Sequence, residues 1–134
     1  MPPAFSLYHR HKVTNAYRSS FFKKSGIAVA TARAGNVIGG GDWGIDRIVP
    51  DVVRALITGS PLFIRNPNST RPWQHVLEPI SGYLLLGAKL FENPTKYSTA
   101  WNFGPYVEDN LRVKELAEIA ISIWGEGNYE ESAL

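Results

Sequence analysis

Ile27-Ala28-Val29-Ala30-Thr31-Ala32-Arg33-Ala34, followed at once by Gly35-Asn36-Val37-Ile38-Gly39-Gly40-Gly41-Asp42-Trp43-Gly44, is the stretch on which the fold turns. Its first part is a nearly unbroken run of small and apolar residues with β-branched members. A strand covered on both faces of a parallel sheet reads this way. Its second part is a glycine-rich loop. After the loop a helix is expected from about Asp46 to Thr58, with Pro50 inside the first turn, where a missing N–H is tolerated. Gly59-Ser60-Pro61 breaks it. Strand, loop and helix in this order argue for an α/β fold.

Working outward, Val13 to Lys24 reads as a helix with Val13, Ala16, Tyr17 and Phe21 on one face, ended by Gly26. Residues 1–12 fit no pattern. Downstream, Leu62-Phe63-Ile64 is a short strand, Asn66-Pro67-Asn68-Ser69 is turn chemistry, and Trp73 to Val76 is a second short strand. Glu78 to Glu92 is a helix with Ile80, Tyr83, Leu84, Leu86, Gly87 and Leu90 inward, stopped by Asn93-Pro94. Thr99 to Phe103 reads as a strand, and Leu111 to Trp124 as an amphipathic helix using Leu111, Leu116, Ile119, Ala120 and Ile123. There is no repeat, low-complexity segment or interdomain linker. Only one long buried strand is evident, so the neighbours that a parallel sheet needs are expected elsewhere.

At 134 residues the chain is one domain or part of one. With 44% hydrophobic and 19% charged residues it can bury a core and lacks a disordered composition. The net charge of +2 is too small to argue for nucleic acid, and the basic residues form no stripe interleaved with aromatics. The charge is uneven: residues 1–24 carry Arg10, Lys12, Arg18, Lys23 and Lys24 with no acid, which reads as a solvated helix face. Residues 108–131 carry seven acids against Arg112 and Lys114. Without cysteine, neither a disulfide nor a thiolate metal site can form. No apolar run approaches the ~18 residues of a membrane span, and the expectation is a cytoplasmic protein without membrane or nucleic-acid partners.

Gly39 to Gly44 has the spelling G-x-G-x-x-G between a strand and a helix, the context of a dinucleotide fingerprint. Asp42 would put a negative charge into the pyrophosphate cradle, and Trp43 is bulky where backbone must approach phosphate. No acid near Ile64 and Arg65 is placed to hold a ribose. The fingerprint reading is set aside. The glycines either make a tight turn or let backbone approach a ligand. No P-loop, G-x-S-x-G or zinc spacing is present, so no metal is expected.

Four phrases stand in fixed order: Ala32 to Trp43, Asp46-Arg47-Ile48-Val49-Pro50-Asp51, Arg71-Pro72-Trp73-Gln74-His75-Val76 and Trp101-Asn102-Phe103-Gly104-Pro105. Together they resemble the nucleotide-sugar branch of the extended short-chain dehydrogenases, the NAD-dependent epimerase and dehydratase family, and within it the CDP-glucose 4,6-dehydratases. The resemblance runs from about Val13 to Trp124. It implies a partial Rossmann-type fold: the last core strand plus part of the substrate-binding domain over residues 13–134, with 1–12 an unmatched N-terminal segment. The family's cofactor-binding half lies upstream of this segment, and more of its substrate domain downstream.

The resemblance also implies roles. Arg47 and Arg71 match the two basic residues that grip the diphosphate of a nucleotide sugar, here CDP-glucose, and a guanidinium offers phosphate a planar fork of donors. Asn36 matches the asparagine at the sugar–phosphate end. Trp73 and His75 form an apolar platform with polar tips beside Arg71, and Asn102 matches a strand end lining the base pocket. Gly35 and Gly39 belong to the loop that closes over the sugar and the nicotinamide end of NAD. The family's catalytic pair is spelled Y-x-x-x-K, the lysine lowering the tyrosine's pKa so that it serves as base. Tyr8 and Lys12 have that spelling, but the stretch beginning at Val13 follows Lys12 too early, and the matching tyrosine would fall near Pro3. Tyr8 and Lys12 are read as a decoy.

Three readings follow. The lineage is a lyase that dehydrates CDP-glucose with bound NAD in deoxysugar biosynthesis, inactive in this chain because the fingerprint and an in-register Tyr–Lys pair are missing. NAD belongs to the full-length family and is not expected on this chain alone. A homodimer of the family type is expected only if the missing helices are supplied. The alternatives are a non-catalytic binding fragment for nucleotide sugars and an unstable remnant.

Overall fold

The computed structural model describes residues 12–132. They form two compact units, residues 12–34 with 77–103 and residues 35–76 with 104–132.

In the first unit, an α-helix over residues 12–17 (α1) runs into a π-helical turn, Arg18–Phe22. Gly26, with φ +68°, lies just beyond, as expected of a helix-ending glycine. Val13, Ala16, Tyr17 and Phe21 do share a helical spacing, but all four are exposed, and the Tyr17 ring meets Phe21 at 5.5 Å and Phe22 at 6.3 Å, both tilted. The run Ile27 to Ala34 is strand only at Thr31–Ala34 (β1). It is half-exposed rather than covered on both faces. The reason is visible in the pairing. Among the described residues β1 has one neighbour, the parallel strand Ala100–Phe103 (numbered β6 in chain order), in the register Thr31↔Ala100 to Ala34↔Phe103. Composition suited to a central strand does not by itself supply the layers on either side.

The helix Leu77–Glu92 (α3) has the expected extent, with Leu86 and Leu90 half-buried, but Ile80, Tyr83 and Leu84 of its expected inner face are exposed. It packs on β6 where glycine permits: a Cβ at Gly82 would lie 2.4 Å from the Phe103 ring. Tyr83 meets the same ring edge-on at 5.2 Å. Asn93 stops α3 as expected and caps the short helix Pro94–Tyr97 (α4), its side chain accepting from the Lys96 N–H at 3.0 Å.

The second unit holds the apolar core. Asn36–Ile38 (β2) pairs in parallel with Trp73–His75 (β5), Leu62–Ile64 (β3) with Tyr129–Glu131 (β8), and Thr70–Arg71 (β4) pairs antiparallel with Leu111–Arg112 (β7). Two helices complete it, Ile48–Thr58 (α2) and Val113–Trp124 (α5). Pro50 is buried in the first turn of α2, and Gly59, in the left-handed region, ends it. Val52, Ala55, Leu62, Ile64 and Ala117 are buried together, with Ile48, Leu56, Val113, Ala120 and Tyr129 packed around them. The small side chains of Ala55 and Ala117 let α2 and α5 approach. Leu111 is a strand residue, so α5 starts two residues later than the helical pattern suggested, and its first amides are capped from the turn that follows β3: Val113 donates to Ser69 O and Lys114 to Pro67 O, each at 3.0 Å. Ile119 and Ile123, expected inward, are exposed. Among the described residues no helix is long and apolar enough to cross a membrane.

Candidate functional site

The second unit contains a cleft of about 640 Å³. Its walls are β2, the loop running from it to α2, the first turn of α2, and the strand ends that carry Arg65, Arg71 and Trp73. β2 and β5 are held side by side in the register Asn36↔Trp73 and Ile38↔His75, and Val76 N–H donates to Ile38 O at 2.8 Å. Glycine is needed at position 39, where a Cβ would sit 3.0 Å from a Val76 methyl. That close approach lets the loop leave β2 without forcing β5 away.

The loop is tied down by charge. Asp42 accepts the Gly44 N–H at 3.0 Å and an Arg47 Nη1 proton at 2.8 Å. The Gly44 amide, with the Arg47 guanidinium beside it, holds the Asp42 carboxyl below the usual carboxylate range. Arg54 donates to Trp43 O and Gly44 O, each at 3.0 Å, and is also bonded to Asp51. Asp46, whose φ of 64° an aspartate tolerates better than most residues, pairs with Arg65 at 3.0 Å.

Four of the expected binding residues, Asn36, Arg47, Arg71 and Trp73, line this one cleft, and so does Gly39. Trp73 is half-buried and spends its indole N–H on Leu111 O at 3.3 Å, so it joins β5 to β7 as well as walling the cleft. His75 is exposed and outside the cleft wall. Gly35 is outside it too, and a Cβ there would lie 3.0 Å from Pro72. Asn102 belongs to the first unit, where Arg33 Nε donates to its Oδ1 at 2.9 Å. Lys12 is exposed in α1, and Tyr8 lies outside the described residues.

The loop does not have the form of a dinucleotide cradle. Such a cradle presents free backbone N–H groups to pyrophosphate, whereas the Gly44 N–H is already bonded to the Asp42 carboxylate. The residues around Asp42 therefore do not form a pyrophosphate cradle for NAD at this loop. Nor does any group of three or more His, Asp or Glu among the described residues have the placement to hold a metal.

The arrangement suits an anion of a different kind. Around the cleft Arg47 pairs with Asp42, Arg65 with Asp46 and Arg54 with Asp51. Arg71 hydrogen-bonds only the carbonyl of Thr70, at 3.1 Å, and among the described residues it has no carboxylate partner. One guanidinium thus remains available to a negative charge, in a cleft that also takes in the N-terminal turn of α2, whose first amides carry partial positive charge.

Over 119 aligned residues the chain is 45% identical to CDP-glucose 4,6-dehydratase of Salmonella typhimurium. The chain is a relative of the CDP-glucose 4,6-dehydratases. The match takes in 85% of this chain and 33% of that enzyme, so the chain spans about a third of the length of its curated relative. No family model matches. Among solved structures, UDP-N-acetylglucosamine 4-epimerase from Methanobrevibacter ruminantium superposes with a TM-score of 0.70 at 17% identity, over 94% of this chain and 39% of its own. A dTDP-glucose 4,6-dehydratase from Streptomyces venezuelae, solved with NAD bound, gives 0.66 at 19% identity, over 92% and 35%. These likenesses show the fold: α/β with parallel strand pairs, part of a Rossmann-type architecture.

Sequence reasoning overlooked Arg54 and the acids Asp46 and Asp51. Only the Asp51–Arg54 spacing, i and i+3 on a helix, was readable beforehand. That Arg54 reaches loop carbonyls is a matter of tertiary distance.

Proposed function

We propose that the cleft of the second unit recognises the diphosphate of a nucleotide sugar, CDP-glucose by lineage, and that this chain alone does not turn it over. Arg71 carries the reading: among the described residues it is the cleft arginine without a carboxylate partner, and the same cleft takes in the N-terminal turn of a helix. Arg47 is the second grip. Its pair with Asp42 is exposed, with the Arg47 side chain 65% accessible, so it is held weakly enough to be exchanged for phosphate. Asn36 and Trp73 face the ligand from the paired ends of β2 and β5; His75 and Asn102 match binding positions of the family by resemblance and are not part of this cleft. Gly35 and Gly39 are the weak point of contact with NAD in a complete family member.

In such a member the reaction is the NAD-dependent dehydration of CDP-glucose to CDP-4-keto-6-deoxyglucose. The similar part of this chain is residues 13–134, and 1–12 stands apart. The chain alone holds no fingerprint for NAD and no in-register Tyr–Lys pair, which is why binding without catalysis is the assignment.

The test is titration of the purified chain with CDP, followed by calorimetry. Saturable binding that is lost in Arg71→Ala supports the assignment. Binding unaffected by Arg71→Ala, or no binding by a chain that melts cooperatively, contradicts it. A second reading, an unstable remnant, is favoured by one observation: Leu84, Leu85 and Phe91 of α3 are 73%, 59% and 92% exposed.

A further inference from the structure

Arg54 lies in the second turn of α2 and is not part of the cleft wall. Its guanidinium nevertheless makes three bonds. Nη1 donates to Trp43 O and Nη2 to Gly44 O, each at 3.0 Å, and Nη2 also meets Asp51 Oδ1. The other two guanidiniums on the loop belong to solvent-exposed pairs. Arg47 and Asp42 have 65% and 41% of their side chains accessible, and Arg65 and Asp46 have 58% and 72%. Exposed pairs hold a loop weakly. Arg54, with 35% of its side chain accessible, is the better-shielded anchor, and besides its pair with Asp51 it binds two backbone carbonyls of the loop.

We infer that Arg54 is a positioning residue for the anion cleft, acting through the loop rather than on the ligand. Two physical consequences support this role. First, carbonyl oxygens are the negative ends of peptide dipoles and oppose an approaching phosphate. Arg54 engages two of them at once, with the planar fork that a lysine lacks. Second, fixing Gly44 fixes its N–H, which bonds Asp42, and Asp42 in turn holds Arg47. The chain of contacts runs from Arg54 through Gly44 and Asp42 to the Arg47 guanidinium, and every link is a hydrogen bond. Arg54 therefore decides where Arg47 waits.

The affinity part of this inference rests on the diphosphate reading of the cleft; the loop part does not. Its test compares Arg54→Met, which keeps the packing of the stem, with Arg54→Lys, using two readouts on the full chain. The first, without ligand, is amide hydrogen exchange of residues 39–47. Arg54→Met should speed it by about tenfold, the equivalent of ~1.4 kcal/mol, while exchange in β3 stays at the wild-type rate. Arg54→Lys should fall between, because one ammonium cannot serve two carbonyls in the same geometry. The second readout is CDP affinity, expected to weaken by roughly tenfold in Arg54→Met and less in Arg54→Lys. A merely structural role would speed exchange in β3 and the loop together. Wild-type exchange at 39–47 in Arg54→Met overturns the inference, and so does faster exchange with unchanged CDP affinity. If the wild-type chain takes up no CDP, the reading of the cleft fails, and the exchange comparison still decides whether Arg54 sets the loop.

Discussion

Arg71 differs from the other arginines of the cleft in what it is bonded to: among the described residues, a neighbouring carbonyl and no carboxylate. Replacing it should therefore cost the fold little and the ligand much. Arg71→Ala is expected to change the urea midpoint by the equivalent of no more than ~0.5 kcal/mol, as for other surface substitutions. The same change should weaken CDP binding by about 1.5–3 kcal/mol, the worth of a charged hydrogen bond, read by calorimetry. Asp42 makes a complementary pH prediction. Its folded pKa is lowered from 3.8 by the Gly44 N–H and Arg47, so its contribution to the folded state is present above that value and lost as pH falls through the folded one. Acid titration of loop exchange at 39–47 should show loosening only below the ordinary aspartate range, and Asp42→Asn should remove that dependence. At this scale Arg47, Arg71, Asn36 and Trp73 were legible because each sits inside a recognisable phrase. Arg54 was not, since nothing in its local spacing points to carbonyls ten and eleven residues upstream.

The elements of the second unit were read well where pattern and burial agree. Leu62–Ile64 is a strand with both ends buried, and Pro50 and Gly59 mark the first turn and the end of α2 as their chemistry requires. β2 was hidden because three residues between glycines carry too little pattern to be told from loop, and its strand character comes from pairing with β5. The start of α5 was misplaced because Leu111 fits the helical spacing, while pairing of β7 with β4 claims it for a strand. Ile64, 1% exposed, is the keystone of the buried cluster, and Ile64→Ala should cost about 2–5 kcal/mol by urea denaturation, enough to unfold a marginal domain. In the first unit, Gly82→Ala is expected to destabilise by ~1–3 kcal/mol, because its Cβ meets the Phe103 ring at 2.4 Å and the ring must shift.

For the molecule as a whole, the contrast between the units matters most. The five-residue apolar core lies entirely in the second, while the first presents bare faces of α1 and α3 and a two-stranded sheet. Parallel strands need cover on both faces, and two strands alone are marginal in water. Amide exchange is accordingly expected to be slow in α2, β3 and α5 and fast in β1, β6 and α3. The sequence composition of Ile27 to Ala34 pointed to a covered strand because composition records the environment a segment is suited to, not the one it has. The cleft lies within the better-packed unit, so the diphosphate recognition we propose does not depend on the weaker one.

Thermal unfolding followed by tryptophan fluorescence, with and without millimolar CDP, tests that claim most directly, since Trp43 and Trp73 both line the cleft. Ligand at 100 times its dissociation constant adds roughly 2.7 kcal/mol. The account predicts a cooperative transition that moves up with CDP in the wild type and stays in place in Arg71→Ala. A cooperative transition that ignores CDP in the wild type contradicts it.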